Sequence, residues 1–286
     1  MQIKNTLRTL ALVLCGLAAL APSTQAGDEM EKEFEVDTGQ KIELDMKEGG
    51  SLEVVGWDEK RVKVLCTSRR IDIDNWDIQI DETRHGLRLR ARIKDHSIQS
   101  HSFHVHLMVP REFDISTRSG GGEISITGVN GTFEGKTGGG GITLRNVSGE
   151  AQLTTGGGWI EIVDSNLNGK VTSGGGGGVL RNVTGNVRAS SGGGAVRYEN
   201  VRNRDGDLRG PGRMTNEDIT KGTLIHKSAG GGIHLDEAPD GAIVQTGGGD
   251  IRIEEASRIV IAKTGGGDSE VEIDDGKVEA ATGAGD

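Results

Sequence analysis

A Ser or Thr leading a glycine cluster recurs in this chain at Ser119, Thr137, Thr155, Ser173 and Ser191, then at Ser228 (with Ala229 before the glycines), Thr246, Thr264 and Thr282. The spacing is 18 residues throughout, apart from one gap of 37 after Ser191. A unit this short cannot bury an apolar face by itself, so its copies must stack on one another. The 48 glycines would otherwise suggest a chain that stays disordered; their fixed period argues for order.

Within each unit the apolar residues alternate. Ile142 and Leu144, then Val147, then Ala151 and Leu153 set the phase, and Ile251, Ile253, Ala256, Val260 and Ala262 repeat it. Two period-2 runs separated by turn residues read as two strands, each with one face inward. No run has helical period. The expectation is an all-β, single-chain β-solenoid (parallel β-helix-like), with Ile142, Ile160 and Ile251 in one inward ladder. Its glycine corners are expected to need positive φ and to stack too closely for side chains, Gly157 among them. At the opposite corner Asn146, Asp164, Asn182 and Asn200 occupy one position, where Asn and Asp tolerate the left-handed conformation. Stacked amides there could bond along the axis. Counting 18 from Ser191 lands on Arg209, so "RGPGRMTNEDITKGTLIHK" is expected to form a degenerate coil. That makes nine coils and a rod about 40 Å long at about 4.8 Å per coil.

Residues 27–118 follow a looser version of the same grammar and are expected to form an irregular β N-terminal cap with the first coils; 119–286 is the regular solenoid. Leu52 and Val54 fall in one strand and Val62 and Val64 in a second, as in a coil. Ile78 and Ile80 face Leu87 and Leu89 across a hairpin turn ending at Gly86. Trp57, Trp76, Phe103 and Phe113 collect here, where they would seal the end. "GSLEVVGWDEKRVKV", "HLMVPREFDISTRSGGGEISITGVNG" and the reiterated "TGGG" units together resemble the bacterial putative-adhesin family. The resemblance covers nearly the whole chain after its leader. It implies an exported β-strand-repeat domain similar to autotransporter adhesin heads, of unknown biochemistry and with no catalytic motif to carry over.

Residues 1–26 read as a signal peptide: Lys4 and Arg8, the apolar "LALVLCGLAALA", and "TQA" before Gly27. Leu14 before Cys15 departs from a lipobox. Cleavage leaves Cys66 as the one cysteine, in phase with Val62 and Val64 and so expected to be buried. It also leaves 31 basic against 43 acidic residues, a net charge of −12. That balance disfavours nucleic acid and anionic membranes as partners. The expectation is a periplasmic, extracellular or cell-surface protein with no membrane segment after cleavage, whose partner is an envelope or surface protein or glycan.

Chemical motifs are sparse. "HSFHVH" puts His104 and His106 on one strand face, where two imidazoles could hold zinc or copper. "GGGD" at Asp250 and Asp268 falls short of the calcium β-roll pattern, which needs an aspartate where Ile251 stands. Asp164, Glu161, Arg145, Arg181 and Arg197 could meet on adjacent coils, as in β-helix polysaccharide lyases and hydrolases. Signatures of nucleophile elbows, zincins or phosphate loops are absent, and no cofactor is implied. The primary expectation is a non-enzymatic adhesin-like or envelope interaction module, with a carbohydrate-active β-helix enzyme as the alternative. A tenth repeat begins at Thr282, so the last coil, with Val271, Val278 and Ala280, is expected either to pair with a partner strand or to continue in a longer parent chain.

Overall fold

In the computed structural model residues 29–95, 102–202 and 223–286 are described, and apart from one 3-10 turn at Ile73–Asn75 their regular structure is all β. The leader reading of residues 1–26 and the coil expected at Arg209 both fall outside the described residues. Each repeat contributes two strands that lie parallel and in register on those of the repeat before. Ile124, Ile142 and Ile160 form one inward ladder, which continues through Gly178, Val196, Ile233 and Ile251. On the facing sheet Phe133, Ala151, Gly169 and Val187 stack in the same way. The two ladders close over each other: Ile124, Ile142, Phe133 and Ala151 are fully buried. Each large side chain so buried contributes about 1.5–3 kcal/mol. The chain is a β-solenoid.

The inward ladder runs on directly across the 37-residue gap. Val196, Arg197 and Tyr198 pair directly with Ile233, His234 and Leu235, and the Ala229 amide donates to Ser191 O at 3.3 Å. The described residues form a solenoid of about eight turns. A ladder slot can be filled only once, and the strand after Ser228 fills the one next to Val196.

The glycine corners work by close approach, and none of the triplet glycines has positive φ. In the triplet after Thr155, a Cβ on Gly156 would lie 2.1 Å from Gly138 O, and one on Gly158 2.1 Å from Gly140 O. Gly157, expected to be equally crowded, has open space where a Cβ would go. The first and third glycines lie against the backbone of the coil before; the middle one points away. The residue before the triplet ties the corner together. Thr155 Oγ1 donates to Gly140 O at 2.7 Å on the preceding coil and accepts from its own Gly158 amide at 3.0 Å. Ser173, Ser191 and Thr264 repeat both bonds. A buried hydroxyl with donor and acceptor both used explains why this position is always Ser or Thr.

At the other corner Asn146, Asp164, Asn182 and Asn200 all have φ between 49° and 53°. Their side chains form a ladder: Asn182 Nδ2 donates to Asp164 Oδ1 at 2.8 Å and Asn200 Nδ2 to Asn182 Oδ1 at 2.9 Å. The left-handed residue and the axial amides are therefore one device. Asn182→Ala loses both parts and should lower stability by about 1–2 kcal/mol. Asn182→Gly keeps the backbone freedom and should lose about 1 kcal/mol less; urea unfolding of the pair measures the difference.

The stack continues into the N-terminal region without a break. Lys41–Met46 lies parallel on Asp114–Ser119, Ser51–Trp57 lies parallel on Ile124–Thr127, and Gly49 and Gly50 form the corner between them. Val62 and Val64, expected in a coil, are instead on Arg61–Arg69, which runs antiparallel to both Ser102–Pro110 and Glu29–Glu35. The chain reverses within the same sheet after Trp57, whose Nε1 donates to Arg61 O at 2.8 Å across the turn. The hairpin forms, with Ile80 opposite Leu89 and Ile78 opposite Ala91. Trp76 stacks on Phe103 with ring centroids 4.3 Å apart, and both are buried with Phe113, while Trp57 is half-buried. Burial pushes the Cys66 thiol up to about 12, so it stays protonated and inert.

One polar pair lies inside the solenoid. Tyr198 OH donates to Ala189 O at 3.0 Å and meets His226 Nδ1, while His226 Nε2 has no hydrogen-bond partner.

Candidate functional site

Strict alternation leaves chemistry only to the outward columns. On the sheet led by Ile142 these are the second and fourth residues of each strand, which stack at the ladder spacing on neighbouring coils. His104 and His106 lie on this surface, near the N-terminal end. Both are half-buried; His106 Nδ1 lies 3.1 Å from Glu53 Oε2 and His104 Nε2 lies 3.0 Å from Ser102 Oγ. With Ser51, Glu123 and Ser125 they line a shallow groove of about 340 Å³. Glu53 is the acidic partner that contacts the pair, through His106.

The acids and arginines weighed as a catalytic group do meet, but as ion pairs. Arg145 reaches Glu161 at 2.5 Å; Glu199 is clasped by Arg181 and by Arg197 Nε at 2.9 Å. The hydrogen bond from Arg181 holds the Glu199 carboxyl below its usual range. A general acid on this surface would need the opposite shift. Asp164 is at the left-handed corner, its carboxylate taken by Asn182. The "GGGD" aspartates are likewise structural. Asp250 Oδ1 accepts the Asp268 amide, and Asp268 Oδ1 the Asp286 amide, each at 3.0 Å from the next coil.

Trp159 is the residue that sequence reading passed over. It occupies the place after the glycine triplet that Gly141 and Gly177 hold on the coils to either side. Its side chain is 54% exposed, and its ring edge lies so close to Gly177 that a Cβ there would meet it at 2.8 Å. A bulky aromatic thus reaches over a glycine of the next coil. The signal was present as a departure from the repeat, Trp where its equivalents are Gly, Ala or acidic.

No family model matches the chain, and no curated protein matches it. It is similar to several solved structures over most of their lengths, three of which illustrate the likeness. One is a putative adhesin of Parabacteroides distasonis, at 14% identity over 89% of this chain and 98% of that one, with a TM-score of 0.45. A putative adhesin of Bacteroides fragilis shares 15% identity over 88% and 97%, with a TM-score of 0.38. A third, from Parabacteroides distasonis, is named a putative lipid binding protein and shares 12% identity over 91% and 96%, with a TM-score of 0.35. Among the described residues no helix is long and apolar enough to cross a membrane.

Proposed function

We propose that the protein is an exported, non-enzymatic interaction module of the adhesin type, which presents the outside of its solenoid to an envelope or surface partner. Trp159 carries the reading. Exposed tryptophans are uncommon on surfaces that bind nothing and are enriched where partners dock. Here the ring packs over Gly177, so less conformational freedom is lost on binding than by a free side chain. A flat, rigid, uncovered ring suits the apolar face of a sugar, which makes a glycan the favoured partner over a surface protein. The leader at residues 1–26 supports export. Against the enzyme alternative stand Glu161 and Glu199, each neutralised by arginine.

The test is a panel of envelope and host glycans, titrated against the full chain and scored for both binding and cleavage. Trp159→Ala is expected to weaken binding by about tenfold or more, with no change in thermal unfolding and no cleavage products from either protein. Equal binding by Trp159→Ala would remove the ring as the docking point. Released fragments would establish the enzyme reading instead.

A further inference from the structure

We propose that His234, Asp236 and Glu254 form a binding site for a first-row divalent cation, zinc above all, on the outer face of the solenoid. His234 and Asp236 lie two apart on the strand Ile233–Ala238 and so project from one face. Asp236 lies across from Glu254 on the next coil, between the pairs Leu235↔Ile253 and Glu237↔Glu255. Their donor atoms all lie within 4.8 Å of one another. His234 Nε2 is 2.9 Å from Asp236 Oδ1 and 3.3 Å from Glu254 Oε1. Ligand atoms about 2.0–2.1 Å from a tetrahedral zinc stand about 3.3 Å apart, so these separations match the edges of such a site.

A second observation points to a missing occupant. His234 Nε2 and Asp236 Oδ1 are shut off from solvent, and neither makes a hydrogen bond despite their proximity. Polar atoms buried in this way call for a water or an ion. Arg197 does not fill the role. It donates to Asp236 Oδ2 at 3.2 Å, stands 3.1 Å from Oδ1 as an ion pair and is shared with Glu199, and Oδ1 still accepts no hydrogen bond. Arg252 is 3.4 Å from Glu254 and 3.2 Å from Glu270. Around the cluster Glu199, Asp236, Glu254 and Glu270 face Arg181, Arg197 and Arg252, an excess of negative charge that a cation would offset. One imidazole nitrogen and two carboxylates suit zinc and its first-row neighbours better than calcium or magnesium, which favour all-oxygen shells. Three protein ligands leave a fourth position open to water or to a donor from a partner.

The experiment uses the full chain, stripped with chelator and titrated with zinc chloride at about pH 7.5 in a calorimeter. Wild type should bind about one equivalent at this site. His234→Ala and the isosteric Glu254→Gln should each weaken that binding by at least about tenfold, while unfolding without metal at the wild-type temperature. The double variant His104→Ala/His106→Ala should retain it. Wild-type affinity in both His234→Ala and Glu254→Gln would overturn the proposal, as would the absence of saturable binding. Loss of the site in the His104/His106 variant alone would overturn it too and place the metal at the N-terminal pair.

Discussion

Gly156→Ala should destabilise the protein by about 3 kcal/mol, while Gly157→Ala, one residue on, should leave it unchanged or raise its stability by about 0.5 kcal/mol. The two substitutions add the same methyl group to the same turn. On Gly156 the new carbon would lie 2.1 Å from Gly138 O, a backbone atom held in the preceding coil's own ladder. Relief requires the coils to part, which also stretches the bonds from Thr155 Oγ1 to Gly140 O and from the Gly156 amide to Thr137 O. On Gly157 the carbon meets nothing within 4 Å and φ is not in the left-handed region. The remaining effect is on the unfolded chain, whose freedom alanine reduces. Urea midpoints for the two variants measure this. Equal shifts would mean that the corner senses total glycine content rather than the approach of particular carbonyls.

Acidification should remove about 3 kcal/mol of stability between pH 6.5 and pH 4 through His226 alone. Burial lowers this imidazole from 6.5 to about 4, the bond to Ala189 opposing. Above pH 6.5 it is neutral in both folded and unfolded chains and contributes no slope. Between 6.5 and 4 the unfolded chain takes up a proton that the folded one refuses, so stability falls with falling pH. Below about 4 both states are protonated and the loss is complete. His226→Leu should therefore have a flatter stability profile over this window, the difference from wild type growing by about 3 kcal/mol from its upper to its lower limit. Carboxylates held low by basic partners, such as Glu43 by Lys41 and Arg88 and Glu199 by Arg181, add an acid-side loss of the same sign in both proteins, and the comparison cancels them. Parallel profiles for the two proteins would show that His226 is not what the core refuses to protonate.

The solenoid, its inward ladder and its left-handed asparagine corner were legible because parallel, in-register stacking maps each residue onto its equivalent 18 positions away. Ile142 meets Ile160 and Asn182 meets Asn200 whatever else the chain does, so the phase of one repeat predicts the neighbours of all. The same logic made Ser or Thr before each triplet visible as a pattern. Its reason, a hydroxyl bonding two coils at once, appeared only with the fold.

Elsewhere the decisive partner is not an equivalent residue, and periodicity says nothing about it. Which glycine of a triplet is crowded depends on where the carbonyls of the previous coil point, so Gly156 and Gly157 look alike in sequence and differ in space. The segment Arg61–Arg69 alternates as a coil strand does, yet runs antiparallel, because alternation reports which face is buried and not the direction of pairing. The 37-residue gap divides into 18 and 19 on paper, but Val196 lies against Ile233. His104 and His106 were noticed because they are two residues apart. His234 and Glu254 were not, being 20 apart and brought together by stacking with a two-residue offset. Apolar phase sets the inside of a solenoid, since burial penalises every misplaced residue. Polar residues outside are under no such constraint, and only the tertiary structure decides which of them meet.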